Sequence, residues 1–246
     1  MREDLKSVDP AAQALLKVAG EKKIKTSFDR AEHLKPCPIG HQGACCKMCH
    51  MGPCRLVGKE DEAEGVCGAS LPVVTARNFA RMVAAGTAAH SDHARDLANT
   101  LLAVARGEAK DFQIKDVRKL NRVAGYLGIN VEGKPVNKVA EEVALKFLDQ
   151  FGQQKGELAY LSRAPKKRQE IWKKLGIAPR AIDRECVEML HRTTMGVDQE
   201  PNNIMLGALR TSLADGWGGS MMGTDISDIL FGTPKPVKTK ASLDVF

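Results

Sequence analysis

The chain has 246 residues, 43 % of them apolar, and a formal net charge of +7, which is enough for one large domain or two small ones with a real core. No apolar run approaches the roughly 18 residues a membrane span needs, and Met1–Lys6 lacks the apolar stretch of a secretory signal. The expectation is a cytoplasmic protein with no membrane span and reduced thiols, and disulfides are disfavoured.

Aromatics are only 4 % of the chain, while Ala, Leu, Val, Lys and Glu are plentiful, a balance that favours helices over sheets. Asp9 can cap a first helix, Pro10 suits its first turn and Gly20 can end it. The next stretch is rich in cysteine, glycine and proline and predicts loop with at most one helical turn. A long helix is predicted from about Leu71 to Gly107, its core stripe running through Phe79, Met82, Gly86, His90, His93, Leu97, Leu101 and Val104.

Further helices are predicted at about 116–127, 137–151 and 165–175, from Pro179 to Thr194, and from Pro201 through Leu213. Asp215–Ser220 carries three glycines and is expected to interrupt the helices; a last one is expected at 222–231, stopped by Gly232. The expected fold is all-α. Residues 1–70 form the N-terminal helix and cysteine-rich segment, 71–232 a helical bundle, and 233–246 a linker-like tail.

Six of the seven cysteines fall between Cys37 and Cys67. Cytosolic thiols are packed that densely where a metal or cluster holds them. Cys45 and Cys46 are neighbours whose side chains point different ways, so the two rarely serve one centre. That splits the six into two sets. Cys46-x2-Cys49-x4-Cys54 with Cys67 makes a complete set for a [4Fe–4S] cluster. Structural zinc is the alternative, weakened by the wide gap between Cys54 and Cys67.

Cys37 and Cys45 remain. They can be free thiols, they can join Cys186, or a second copy of the chain can supply the same pair across a twofold axis. The last option uses every cysteine of the segment and is preferred. Cys186 lies on the apolar side of a helix and reads as a small buried hydrophobe.

His90 and His93 share a helix face. They read either as satisfied core histidines or as groups that pass protons near neutral pH. Asp96 and Asn99 are the next rungs. His41 and His50, inside the cysteine loop, read either as solvent-facing or as donors to sulfur.

Several runs together carry a family resemblance: Cys37-Pro38-Ile39-Gly40 leading to Cys45-Cys46-Lys47 and Met51-Gly52-Pro53-Cys54-Arg55; Ala89-His90-Ser91-Asp92-His93; Met195-Gly196-Val197-Asp198; Leu213-Ala214-Asp215-Gly216-Trp217-Gly218-Gly219; and Asp228-Ile229-Leu230-Phe231-Gly232. With them the chain resembles, over nearly its whole length, the N-terminal part of the anaerobic nickel-containing carbon monoxide dehydrogenases.

The resemblance implies a homodimer. Each subunit would hold a [4Fe–4S] cluster on Cys46, Cys49, Cys54 and Cys67, with one further cluster shared between subunits through Cys37 and Cys45. Electrons would leave to a ferredoxin-like acceptor, and an acetyl-CoA synthase is a possible partner. His90, His93 and Asp96 would belong to a proton relay.

The implied reaction converts carbon monoxide and water to carbon dioxide, two protons and two electrons at a nickel–iron–sulfur centre. The ligands of that centre are expected in Rossmann-like α/β domains that this chain lacks, so the chain is expected to relay electrons and dimerise but not to oxidise carbon monoxide alone. Two alternatives from the residues are a stand-alone, non-catalytic iron–sulfur electron-transfer protein and a basic zinc module that touches nucleic acid.

Overall fold

The long helix α4, Leu71–Ala105, organises the fold. Its 35 residues make a rod about 50 Å long. Before it come α1 (Pro10–Glu21), α2 (Ser27–His33), the single turn α3 (Pro38–His41) and a two-stranded antiparallel ribbon of β1 (Cys45–Cys46) and β2 (Cys54–Arg55). After it come α5 (Val117–Tyr126), α6 (Val136–Gly152), a 3-10 turn at Ala159–Arg163, α7 (Lys166–Lys174), α8 (Ile182–Arg192), α9 (Pro201–Ala214), a π-helical turn at Asp215–Ser220 and α10 (Met221–Phe231). This computed structural model describes residues 6–58 and 63–235, so most of the predicted tail lies outside the described residues.

Local chemistry explains the ends. Asp9 accepts from the N–H groups of Ala11 and Ala12, at 2.6 and 3.1 Å, with Pro10 in the first turn. Helix α2 is absent from the sequence prediction although Thr26 and Asp29 form a reciprocal capping box. Asp116 caps α5 through the Lys119 N–H at 2.8 Å. Pro179–Ala181 is not helical, and α8 starts later than predicted, after the extended Ala181.

Helices α6, α8, α9 and α10 pack around α4. The buried side of α4 is not the stripe predicted from its large residues: Phe79 and Met82 are 45 % and 66 % exposed. The helix instead buries Ala76, Arg77, Ala80, Ala84, Thr87, Ser91, Ala94 and Ala98 along its middle, with Val73 and Val74 at its N-terminal end and Leu101 and Val104 at its C-terminal end. Small side chains let neighbouring helices approach closely, and close approach here outweighs side-chain size.

The same requirement accounts for the glycine-rich run. It does not interrupt the helices; Asp215–Ser220 carries α9 into α10 as one π turn. A Cβ on Gly219 would lie 3.2–3.3 Å from the α4 backbone at His90 and Ser91, and one on Gly218 would lie 2.7 Å from Ile182 Cγ1. These glycines are contact points and not breaks.

Two apolar clusters result. The larger joins the C-terminal part of α4 to α5, α6, the 3-10 turn and α10. The smaller joins Cys46, Leu56 and Ala69 to the first turns of α4 and to Met189, Ile204 and Ala208. The cysteine segment is thereby anchored on α4, α8 and α9. Among the described residues no helix is long and apolar enough to cross a membrane.

Candidate metal centre

Strand geometry separates the neighbouring cysteines. In the ribbon Cys46 stands opposite Cys54 and Cys45 opposite Arg55, and successive residues of a strand face opposite sides. Cys46, Cys49, Cys54 and Cys67 border one recess, with Met48, Arg77 and Met195 on its walls. Cys37 and Cys45 border a different recess, beside His41, Lys47, Arg55 and Met82. All seven cysteines are free thiols.

Gly52 closes the loop between the strands. A Cβ there would lie 3.0 Å from both the Cys46 oxygen and the Cys54 nitrogen, so only glycine lets the ribbon fold back this tightly. Asn78 of α4 donates to the backbone oxygens of Gly43 and Cys45, at 2.9 and 3.1 Å. Cys46 is buried, Cys49, Cys54 and Cys67 are half-buried, and Cys37 is exposed.

Donors point at sulfur. The Val66 N–H lies 3.5 Å from Cys54 Sγ and Arg77 Nη1 lies 3.6 Å from Cys67 Sγ. Burial pushes the Cys67 thiol up, but the Arg77 guanidinium and the N–H groups of Ala69 and Gly196 outweigh it, and the net shift is downward. The Cys37 thiol is lowered by the N–H groups of Gly40 and Ile39 at the start of α3.

A thiolate is the metal-binding form of cysteine, so both shifts favour soft-metal binding. Among the described residues no three His, Cys, Asp or Glu side chains are gathered about a single ion position; the four thiols ring a cavity. Four sulfur donors around a cavity, with N–H groups directed at them, fit an iron–sulfur cluster.

Sequence reasoning misses Arg77 and Asn78. A signal for Arg77 exists, since it falls in step with Val73, Ala80 and Ala84 on the buried side of α4 and is itself only 1 % exposed. A cation on an apolar face marks a special environment. Cys186 is buried as expected, against the Ala84 oxygen. Its thiol is pushed up to about 11, chiefly by burial, with the carboxylates of Asp183, Asp215 and Glu185 adding to it.

His90 and His93 are exposed on this chain, and so is Asp96; neither histidine is the core residue that the predicted stripe would make it. His90 Nδ1 lies 2.8 Å from Asp215 Oδ1 and 3.2 Å from Ser220 Oγ. Both histidines border a shallow recess with Ser220, Thr224, Ser227 and Asp228. His41 and His50 are exposed too.

The chain matches the Prismane/CO dehydrogenase family over residues 44–246. Carbon monoxide dehydrogenase 1 of Methanosarcina mazei is 50 % identical over 242 residues, which cover 98 % of this chain and 38 % of that protein. Carbon monoxide dehydrogenase 2 of Carboxydothermus hydrogenoformans is 43 % identical, over 99 % of this chain and 39 % of that protein. Among solved structures, an as-isolated, nickel-free carbon monoxide dehydrogenase from Thermococcus sp. AM4 superposes with a TM-score of 0.87 at 46 % identity, over 96 % of this chain and 38 % of that one.

An acetyl-CoA synthase/carbon monoxide dehydrogenase superposes with a TM-score of 0.86 at 38 % identity, over 96 % of this chain and 36 % of that one. The chain thus spans well under half the length of the curated relatives it matches, while nearly all of it is matched. With its helical fold and cysteine ribbon, the chain belongs to the Prismane/CO dehydrogenase family.

Proposed function

We propose that this chain is the electron-relay and dimerisation part of a nickel carbon monoxide dehydrogenase. Cys46, Cys49, Cys54 and Cys67 would hold a [4Fe–4S] cluster within the chain. Cys37 and Cys45 would share a second cluster with the same pair of a partner copy. The observation that carries this reading is the separation of the six thiols into two recesses by the alternation of Cys45 and Cys46. When bound, such clusters accept and pass on single electrons.

The chain's own residues supply the surroundings. The recess walls, Met48 and Met195 among them, limit solvent, and the N–H groups at Val66 and Arg77 face sulfur. Cys37, exposed and in the outer recess, suits a centre from which electrons pass to a ferredoxin-like acceptor. After the two sets only Cys186 is left, buried and in neither recess. That supports placing the nickel–iron–sulfur centre, and the oxidation of carbon monoxide itself, on residues outside this chain.

His90, His93 and Asp96 would take protons away along the open face of α4. Asp215 and Ser220 hold the His90 ring, at 2.8 and 3.2 Å from Nδ1. In the complete enzyme, replacing both histidines with leucine is expected to slow turnover while leaving iron content unchanged; unaltered turnover would remove this role. Assembly with an acetyl-CoA synthase is an option the second structural relative suggests.

The test of the main reading is direct. The chain purified without oxygen is expected to be brown, to contain iron and acid-labile sulfide in equal amounts, and to sediment as a dimer. A colourless chain with one zinc per molecule would overturn the reading.

A further inference from the structure

Arg77 is a cation buried in the wall of the four-thiol recess. Its Nη2 donates to the Asp198 oxygen at 2.7 Å and to Gln199 Oε1 at 3.2 Å, and its Nη1 points at Cys67 Sγ. Its Nε–H is fully buried and has no acceptor at all. Among the described residues no carboxylate pairs with it. The nearby Asp198 carboxylate is taken by Arg192, at 2.8 Å, and offers Arg77 only its backbone oxygen.

Both deficits are unusual. Buried N–H groups almost always find an acceptor, and a buried guanidinium without counter-charge is strongly unfavourable. A guanidinium stays protonated in proteins, so it cannot escape by losing its charge. The surroundings also hold it in place. Gln199 accepts from Arg77 through Oε1 and donates through Nε2 to the Cys67 backbone oxygen at 2.8 Å. Cation and cysteine are thus tied to one side chain.

We infer that Arg77 is the built-in counter-charge of the cluster on Cys46, Cys49, Cys54 and Cys67, giving its orphaned N–H to a cluster sulfur and raising the potential at which the cluster is reduced. This rests on the proposed cluster in that recess. The missing acceptor and the missing negative charge are both things a thiolate-ligated cluster brings. Reduction adds one electron and no proton, so it increases the negative charge facing Arg77. A fixed positive charge stabilises the reduced form more than the oxidised form, and a dry, fixed hydrogen bond to sulfur acts in the same direction.

The test uses the full chain, purified without oxygen and shown by iron and sulfide analysis to hold its cluster. Redox titration followed by electron paramagnetic resonance compares wild type with Arg77→Lys and Arg77→Gln, each checked for helix content. The lysine variant keeps the charge and is expected to titrate close to wild type. The glutamine variant removes the charge and is expected to have a lower midpoint. Equal midpoints in wild type and the glutamine variant would overturn the inference while leaving the cluster assignment standing.

A second measurement needs no variant. Protein labelled with 15N only in the arginine guanidino nitrogens is reduced, and pulsed resonance on the cluster signal is expected to show weak 15N coupling. Absence of that coupling in a chain that holds a reduced cluster would also overturn it. A wild-type chain with no cluster would instead sink the underlying assignment.

Discussion

Asn78 on α4 reaches back to Cys45 on the ribbon, donating its amide to the Cys45 backbone oxygen at 3.1 Å and to the Gly43 oxygen at 2.9 Å. This one side chain fixes the outer cysteine recess to the central helix. The two backbone oxygens come just before and within β1, where Ala44 is buried and leaves little room for water to replace a lost donor. Asn78→Leu is therefore expected to cost about 2 kcal/mol, seen as a lower urea midpoint. It is also expected to lower dimer content before it lowers iron held by the inner set. Unchanged stability would mean that water takes over both oxygens.

The two recesses make a sharp forecast about iron. Cys49→Ser removes a thiol from the inner recess and is expected to abolish the cluster held within the chain. Cys37→Ser touches only the outer recess. It is expected to leave the inner cluster's resonance signal intact while weakening the dimer in sedimentation. Loss of all iron in both variants would mean that the six thiols serve one centre.

Parts of this arrangement are legible from the chain alone and parts are not. The split between Cys45 and Cys46 is legible because it depends on the alternation of adjacent residues, a property of the backbone at that point. The Asp9 cap is legible for the same reason. The Thr26–Asp29 capping box is equally local, but the seven-residue helix it starts buries no residue and so has no core stripe to mark it.

Arg77 is harder to find. Its partners Asp198 and Gln199 lie more than a hundred residues along the chain, so its role depends on how α4 meets the segment between α8 and α9. The core stripe misleads because hydrophobicity points to Phe79 and Met82, whereas the packing selects alanines that permit close contact. The glycines of 215–220 mislead in a related way. A missing side chain reads as a break unless a neighbour fills the space; α4 fills it at Gly219 and Ile182 fills it at Gly218.

That packing can be measured. Gly219→Ala places a methyl group against the rigid α4 backbone at His90 and Ser91, which cannot move aside without bending a buried helix. The expected cost is about 1–3 kcal/mol, visible as a lower urea midpoint. Gly216 has nothing within 4 Å of a built Cβ and lies in the same π turn. Gly216→Ala is expected to be neutral or to stabilise by about 0.5 kcal/mol. Equal behaviour of the two variants would deny that close approach is the reason for glycine at 219.

Glu188 on α8 provides the acid limb of stability. It is surrounded by cations: Arg180 and Arg210 bond to it directly, with Arg184 at 3.4 Å and Arg192 at 3.8 Å. Burial pushes its carboxyl up, but Arg180, Arg210 and Arg184 outweigh burial and hold it below the usual carboxylate range. A carboxyl lowered on folding binds its proton more tightly in the unfolded chain. Its contribution is therefore fully present above the unfolded value of about 4.3 and is lost as pH falls through the folded value.

Glu188→Gln is expected to cost about 2 kcal/mol near neutral pH, where the four arginines lose their shared anion. The gap between variant and wild type is expected to begin closing as pH drops below about 4.3 and to be gone once pH is under the lowered folded value, where the native glutamate is neutral too. Urea midpoints of both proteins from pH 7 down to pH 3 measure this as a difference, in which any acid loss of cluster common to the two cancels. A gap that stays constant across that range would show that Glu188 acts by shape and hydrogen bonding, with its charge irrelevant to the fold.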